Sequence, residues 1–245
     1  MDNTKNTEYI SYIAGGLFGD FIHQLSVIKE KYVLTNKKGI LYISNNGEAF
    51  RLGLEDTYHK TYNLIISQDY IKEYKIYNGE PYDINLCSWR YNRFLYHDNW
   101  YRIFSDEYSI EWGKHQWLTV PKDNKWTNKI IINEPAYRFS SIDYQKLYDK
   151  YKDRLVFIAF KHPNYSDYEY FIKKTGLSVD YYDPITMDEL AMVIHSCDLY
   201  VGAPSGIMSI AFALKTPILL GRPPCNSEYA MVKSIDNHLN NITIE

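Results

Sequence analysis

The sequence has 245 residues, 45% of them hydrophobic and 23% charged, proportions that suit one large globular domain or two small ones. They exclude a disordered tail, a collagen-like repeat and a small disulfide-rich protein. The formal net charge of -3 excludes a chain-wide basic surface for nucleic acid or anionic membrane, although a local basic patch stays compatible with it.

Cysteine usage and the N-terminus bear on the compartment. The three cysteines, Cys87, Cys197 and Cys225, are widely spaced and form no C-x-x-C pair, which favours a reducing environment. The first residues lack the basic start and apolar core of a signal peptide, and no run approaches the roughly 18 apolar residues that span a bilayer. We therefore predict a cytoplasmic protein without an integral membrane segment.

The first 45 residues have the pattern of a βαβ unit. A β-prone run from Tyr9 ends in glycines, apolar residues then recur at helical spacing as far as Tyr32, and a second apolar run covers residues 40–44. A right-handed crossover would place both strands in one parallel sheet. The region that follows, residues 46–117, mixes aromatic and charged residues without clean periodicity, and its segments 62–66, 74–79 and 82–89 are compatible with either strand or helix.

The second part of the chain alternates strands and helices. A polar segment around residues 121–128 predicts a linker between an N-terminal domain, residues 1–120, and a C-terminal domain, residues 129–245. Predicted strands at 129–133, 154–160, 177–182, 198–202 and 217–221 are separated by helices, which is typical of a doubly wound parallel sheet. Thr186 with Glu189 predicts a capping box, and Ser140 or Ser141 with Asp143 a weaker one.

The first candidate site is the turn Gly15-Gly16-Leu17-Phe18-Gly19-Asp20, between a predicted strand and a predicted helix. Gly16 and Gly19 would let the backbone approach a phosphate closely, and free helix N–H groups favour an anion. Asp20 would stand at the mouth of a cleft, ionised, and able to accept a proton from a hydroxyl. An ordinary acidic residue at a helix start remains the alternative, and the spacing is not that of G-x-G-x-x-G.

The second candidate site is the turn from Gly202 to Ser209 at the end of another strand. Ser205 and Gly206 can present a hydroxyl and backbone N–H groups to a diphosphate, with Ser209 close behind, although a plain N-cap in a close helix contact has the same residues. Arg138, after the strand 129–133, suits a pair of diphosphate oxygens. Lys161 and His162 follow the next strand and could border a nucleotide. A surface arginine and a solvated turn are the competing interpretations.

Two segments carry a family resemblance, YIAGGLFGDFIHQLSVIKE and HSCDLYVGAPSGIMSIAFALKTPILLG. They resemble both ends of the heptosyltransferase-like glycosyltransferases, over about residues 9–30 and 187–221. The resemblance implies a compact α/β chain of GT-B type, with two Rossmann-like domains around a central cleft. It also implies a nucleotide bound mainly by the C-terminal half and an acceptor bound mainly by the N-terminal half. The family has an acidic residue before the Ser-Gly pair and a histidine three residues after the glycine, where this chain has Pro204 and Ser209.

The resemblance implies a hexosyl- or pentosyltransferase that moves a sugar from a nucleotide-diphosphate donor to a hydroxyl on a glycan, lipid, protein or modified nucleic acid. No metal-binding spacing, P-loop, G-x-S-x-G or D-x-D triplet near a strand end occurs, so we expect no metal and no resident cofactor, with the nucleotide sugar as co-substrate. The alternatives are a sugar-nucleotide epimerase or hydrolase of the same fold, and a degenerate transferase that only binds a nucleotide or glycan. Pro204 and Ser209 favour the last of these.

Overall fold

The computed structural model describes residues 8–45, 49–92, 100–159, 166–221 and 242–244. Its first sheet has the order β3-β2-β1-β4 and is parallel throughout. The strands are β1 (Tyr9–Gly15), β2 (Lys38–Ser44), β3 (Ile71–Ile76) and β4 (Ile84–Asn85). The second sheet is also parallel and has the order β10-β9-β8-β5-β6-β7. Its strands are β5 (Ile130–Asn133), β6 (Leu155–Ile158), β7 (Asp180–Tyr182), β8 (Leu199–Gly202), β9 (Ile218–Leu220) and β10 (Ile242–Ile244).

Helices connect the strands of both sheets. They are α1 (Phe18–Thr35), α2 (Leu54–Ile66), α3 (Trp89–Asn92), α4 (Trp100–Tyr108), α5 (Tyr144–Tyr151), α6 (Asp167–Thr175), α7 (Met187–Ser196) and α8 (Gly206–Ala213). The predicted α/β class with two parallel sheets is confirmed. The order of the second sheet reverses where β5 lies beside β8, as a doubly wound sheet requires. No helix in the described ranges is long and apolar enough to cross a bilayer.

Local predictions succeed where a cap or an apolar run marks an element. Thr186 caps α7 by accepting a hydrogen bond from the Glu189 N–H at 3.2 Å, as predicted. The predicted cap at Ser140 or Ser141 is wrong, because α5 starts at Tyr144 and Asp143 accepts from the Lys146 N–H at 3.1 Å. Of the undecided segments, residues 62–66 belong to α2, and 74–76 to β3; only Ile84 and Asn85 of 82–89 pair as a strand.

A tryptophan-bearing segment, residues 112–118, ties the two sheets together. The buried Trp112 and Trp117 donate their indole N–H groups to the carbonyl oxygens of His23 and Ile22 in α1, at 3.3 and 2.9 Å. The backbone N–H of Trp117 donates to the Ala213 carbonyl at the end of α8, at 3.1 Å. We call residues 8–118 the first half and residues 129–221 the second half. Both halves contribute to one hydrophobic cluster, and a second cluster lies within the second half. The domain boundaries at 120 and 129 stay a prediction.

Candidate functional site

A cavity of about 440 Å³ lies where the N-termini of α1 and α8 meet. Parallel β1 and β8 both end at this point, so each strand delivers the turn and the helix start that follow it to the same place. Six residues predicted from the sequence line the cavity, namely Gly19, Asp20, Arg138, Ser205, Gly206 and Ser209. Lys161 and His162 lie outside the described residues. Two turns about 190 residues apart in the chain therefore form one site, as expected from the carboxyl ends of parallel strands.

The two helix N-termini differ in how their N–H groups are satisfied. Leu17 occupies the N-cap position of α1 and its side chain cannot accept a hydrogen bond, so the first turn of α1 has no side-chain cap. Ser205 caps α8, since its Oγ accepts from the Met208 N–H at 3.1 Å. The Ser205 hydroxyl donates in turn to Asn133 Oδ1 at 3.1 Å. The uncapped end of α1 is therefore the better supplied with N–H donors for an anion.

Asp20 forms an ion pair with Arg90, a residue that sequence reasoning missed. Arg90 Nη2 lies 2.5 Å from Asp20 Oδ2, and the two side chains are 20% and 18% exposed. The guanidinium packs over the Trp89 ring, 4.6 Å from its centroid. Because β4 pairs with β1 beside the glycine turn, α3 brings Arg90 to the start of α1. The neighbouring cation stabilises the ionised carboxylate of Asp20.

Gly16 and Gly19 of the first turn leave room for other protein atoms to approach the backbone closely. Gly16 has a φ of +103°, and a Cβ there would lie 2.1 Å from Arg90 Nη2, so Gly16 makes room for the guanidinium and lies outside the cavity wall. Gly19 faces α8, and a Cβ on it would lie 3.4 Å from the Cα of Gly206 and 3.0 Å from Ser209 Oγ. The Gln24 side chain fixes the turn by hydrogen bonding to both the N–H and the carbonyl oxygen of Gly15, at 3.2 and 3.0 Å.

His23 and Ser209 join α1 to α8 at the inner side of the cavity. Their Nε2 and Oγ atoms share a hydrogen bond of 3.1 Å. His23 is 2% exposed and touches the rings of Trp100 and Trp112, with centroids 4.7 and 5.6 Å away. Burial lowers the pKa of His23 to about 3, so the imidazole is neutral at physiological pH. Ser209, predicted to bind phosphate, thus has an intramolecular partner across the two halves.

Cationic side chains predominate in the cavity wall. Among the lining residues in the described ranges, four are cationic and only Asp20 is acidic, although the whole chain has a net charge of -3. The cations are Arg51, Lys60, Arg90 and Arg138. Arg138 donates to the Pro204 carbonyl at 3.0 Å and lies over the Tyr137 ring. Such a cavity attracts a ligand with concentrated negative charge.

Glu134 is a buried carboxylate directly after β5, and it too was missed. It accepts a 3.1 Å hydrogen bond from the Ser140 N–H, and the Ser140 and Tyr144 hydroxyls also donate to it. These bonds close the loop that carries Tyr137 and Arg138. Burial raises the pKa of Glu134 to about 7, and the three donors oppose that rise only in part. Its position behind the cavity wall makes it a support for the loop.

The raised pKa of Glu134 predicts that the free energy of unfolding depends on pH. The folded pKa exceeds the ordinary value of 4.5, so the folded protein binds more protons than the unfolded chain between pH 4.5 and 7, and its stability falls as pH rises through that window. The loss amounts to up to about 3 kcal/mol at 1.4 kcal/mol per pKa unit. Urea denaturation at pH 5 and pH 8 should show that the free energy of unfolding decreases less with rising pH for Glu134→Gln than for the wild type. The same decrease in both proteins would contradict this role.

No three His, Cys, Asp or Glu side chains converge to hold a metal ion in the part of the chain that the structure describes.

Comparison with known proteins shows that this chain is similar in fold to several solved structures. No family model and no curated protein sequence matches the chain. The structure is similar to that of Escherichia coli ADP-heptose LPS heptosyltransferase II, with a TM-score of 0.55 at 12% identity over 97% of this chain and 90% of that one. A glycosyl transferase of family 9 from Veillonella parvula gives a TM-score of 0.54 at 10% identity over 97% and 86% of the two chains. Escherichia coli heptosyltransferase WaaC with ADP-2-deoxy-2-fluoro heptose gives 0.53 at 8% identity over 97% and 92%.

These likenesses establish the GT-B glycosyltransferase fold for this chain, in a compact version of 245 residues. The resemblance expected from the two glycine-containing turns is thereby confirmed at the level of fold. At 8–12% identity, the fold is all that the comparison establishes.

Proposed function

We propose that this protein is a glycosyltransferase that moves a sugar from a nucleotide-diphosphate donor to a hydroxyl acceptor. The observation that carries the proposal is the cavity at the paired helix N-termini, whose lining among the described residues includes four cationic side chains and one carboxylate. Its volume of about 440 Å³ lies within the range of about 300–1,000 Å³ typical of small-molecule sites. The fold supports the same class of reaction, since the solved structures it resembles include a heptosyltransferase with an ADP-sugar analogue.

The proposed reaction uses charges that are already in place. The acceptor oxygen forms a bond to the anomeric carbon while the bond from that carbon to the diphosphate oxygen breaks. Arg138 and the N–H groups at the start of α1 and α8 stabilise the negative charge that develops on the leaving diphosphate. Asp20 accepts the proton of the attacking hydroxyl. In this proposal Arg90 holds the Asp20 carboxylate in its ionised form and in a fixed position.

The same arrangement predicts catalysis without a divalent metal or a resident cofactor. Fixed guanidinium groups and helix N–H groups would supply the positive charge that Mg²⁺ or Mn²⁺ supplies in other transferases. We expect turnover to be unchanged in excess EDTA when initial rates are measured with a labelled sugar nucleotide. Loss of activity in EDTA that either metal restores would contradict the proposal.

A non-catalytic binding protein is the second candidate, and the ion pair at Asp20 favours it. A carboxylate that already has a guanidinium partner is a weaker base, and Pro204 and Ser209 depart from the family pattern. Both candidates predict that a nucleotide raises the melting temperature. The candidates differ in turnover, because only a transferase consumes the bound sugar nucleotide when acceptors are supplied.

The experiment that tests the function has two stages. First, thermal shifts are measured with ADP, UDP, GDP and CDP and with their common sugar derivatives. Second, the binding sugar nucleotide is labelled and its products are separated with and without a mixture of glycan and lipid acceptors. Sugar transferred to an acceptor supports the proposal, whereas free sugar or an isomer formed without acceptor identifies a hydrolase or an epimerase. A cytoplasmic location, predicted from the sequence, remains a prediction.

A further inference from the structure

Two arginines from different halves of the chain meet at one tyrosine ring in the cavity wall. Arg51, before α2, lies with its Cζ 5.6 Å from the centroid of the Tyr137 ring. Arg138, after β5, lies with its Cζ 5.5 Å from the same centroid. All three residues line the cavity, and Tyr137 is 53% exposed, which places the group at the open side. The ring attracts each guanidinium.

Arg51 is held in this position by its neighbours in the chain. Phe50 is buried, and its ring meets Phe21 of α1 edge to face, with centroids 5.8 Å apart. The Gly53 N–H donates to the Phe50 carbonyl at 2.9 Å, which closes the turn that contains Arg51. The backbone at Arg51 is therefore anchored to the same helix that carries Asp20, while the exposed side chain remains able to adjust to a ligand.

The charge of Arg51 is not balanced by an acid among the residues that the structure describes. Within the described residues no carboxylate lies at ion-pair distance from Arg51, and the second guanidinium at the ring carries the same charge. A guanidinium without an acidic partner is available to an anion that enters the cavity. Arginine pairs with phosphate through two parallel hydrogen bonds, and two arginines can thus take adjacent phosphates.

We propose that Arg51 and Arg138 form a clamp that binds the diphosphate of the ligand from both halves of the chain. This inference rests on the proposed function and deepens it. The family resemblance implies a nucleotide held mainly by the second half, whereas the clamp makes the first half a direct contributor to binding. Arg51 is thereby a ligand-binding residue, and the bound diphosphate bridges the two halves at the open side of the cavity.

The test uses isothermal titration of the full chain with inorganic pyrophosphate and with ADP, UDP, GDP and CDP. Arg51→Met and Arg138→Met should each weaken binding about tenfold or more, as the loss of a charge-assisted contact requires. Arg51 is exposed and outside the core, so its variant should keep the wild-type melting temperature. Lys150→Met is the matched control, because Lys150 is an exposed cation over Tyr151, 4.8 Å from its centroid and outside the cavity wall.

The outcomes separate this inference from the proposed function. An affinity within twofold of wild type for Arg51→Met, with a loss for Arg138→Met, would overturn the clamp and leave a nucleotide site in the second half. A loss for Arg51→Met alone would equally overturn a clamp that uses both halves. Failure of pyrophosphate and of all four nucleoside diphosphates to bind the wild type would overturn the proposed function and the clamp with it. An Arg51→Lys variant with intermediate affinity would support a phosphate contact.

Discussion

Replacement of Asp20 by asparagine should lower kcat by about 10²-fold or more, because removal of a general base raises the barrier of the proton-transfer step. Nucleotide affinity should be preserved or slightly improved, since the variant keeps Arg90 and removes the one acidic side chain among the described cavity residues. Steady-state kinetics with a labelled donor and titration with the matching nucleoside diphosphate would separate the two effects.

The matched control for this prediction is Asp69→Asn. Asp69 pairs with Lys29 at 3.0 Å on the exposed side of the first half and does not line the cavity. The Asp69→Asn substitution also removes an ion pair between a carboxylate and a cationic side chain, and we expect this variant to keep wild-type turnover. Near-wild-type turnover of Asp20→Asn would rule out Asp20 as the base, and a large loss in nucleotide affinity would indicate that Asp20 acts on donor binding.

Truncation of Trp117 should destabilise the whole chain by about 3–5 kcal/mol, the usual cost of removing a buried aromatic side chain. Trp117 is fully buried in the shared core, and its backbone and indole contact α8 and α1 respectively. We expect Trp117→Ala to shift one cooperative unfolding transition of both halves. Urea denaturation followed by circular dichroism and by fluorescence would measure it.

Trp117→Phe is the graded control, because it keeps an aromatic ring and loses the indole hydrogen bond to the Ile22 carbonyl. The loss of this hydrogen bond and the smaller ring should cost about 1–3 kcal/mol. Two separate transitions, of which Trp117→Ala moves only one, would show that the halves unfold independently. That result would favour two domains with the predicted boundaries at 120 and 129 over a shared core.

Sequence patterns predicted the elements that have buried apolar runs and marked ends. The second sheet could be predicted from the sequence because β5, β6, β8 and β9 are short apolar runs between helices with clear caps. The elements of residues 46–117 could not be predicted, since the buried positions of β3 recur every third residue instead of every second and β4 has only two residues. The aromatic side chains there pack across the molecule, so local periodicity carries little information about them.

The site was predictable in position and only partly in composition. Helix starts after parallel strands identified Asp20, Arg138 and Ser205, and the structure brings them to one cavity. Arg90 could not be found in this way, because it is 70 residues from its partner Asp20 and lies in a region without clear elements. Arg51 could not be identified from the sequence for the same reason. Long-range charge pairing depends on the fold, and a single sequence gives no signal for it.

The glycines illustrate a second limit. A glycine in a strand-to-helix turn indicates close approach of something to the backbone, but the pattern does not say what approaches. At Gly16 it is the guanidinium of Arg90, and at Gly19 and Gly206 it is the neighbouring helix. The expected role of these glycines in phosphate binding therefore stays a prediction, while their role in packing follows from the structure.

The most direct test of the proposed function is a crystal structure of the protein with a bound nucleoside diphosphate, chosen as the one that raises the melting temperature most. The proposal predicts diphosphate oxygens within hydrogen-bond distance of Arg138 and of N–H groups in the first turn of α1 or α8, beside the Asp20–Arg90 pair. A diphosphate bound outside this cavity, with the cavity empty, would contradict the proposal.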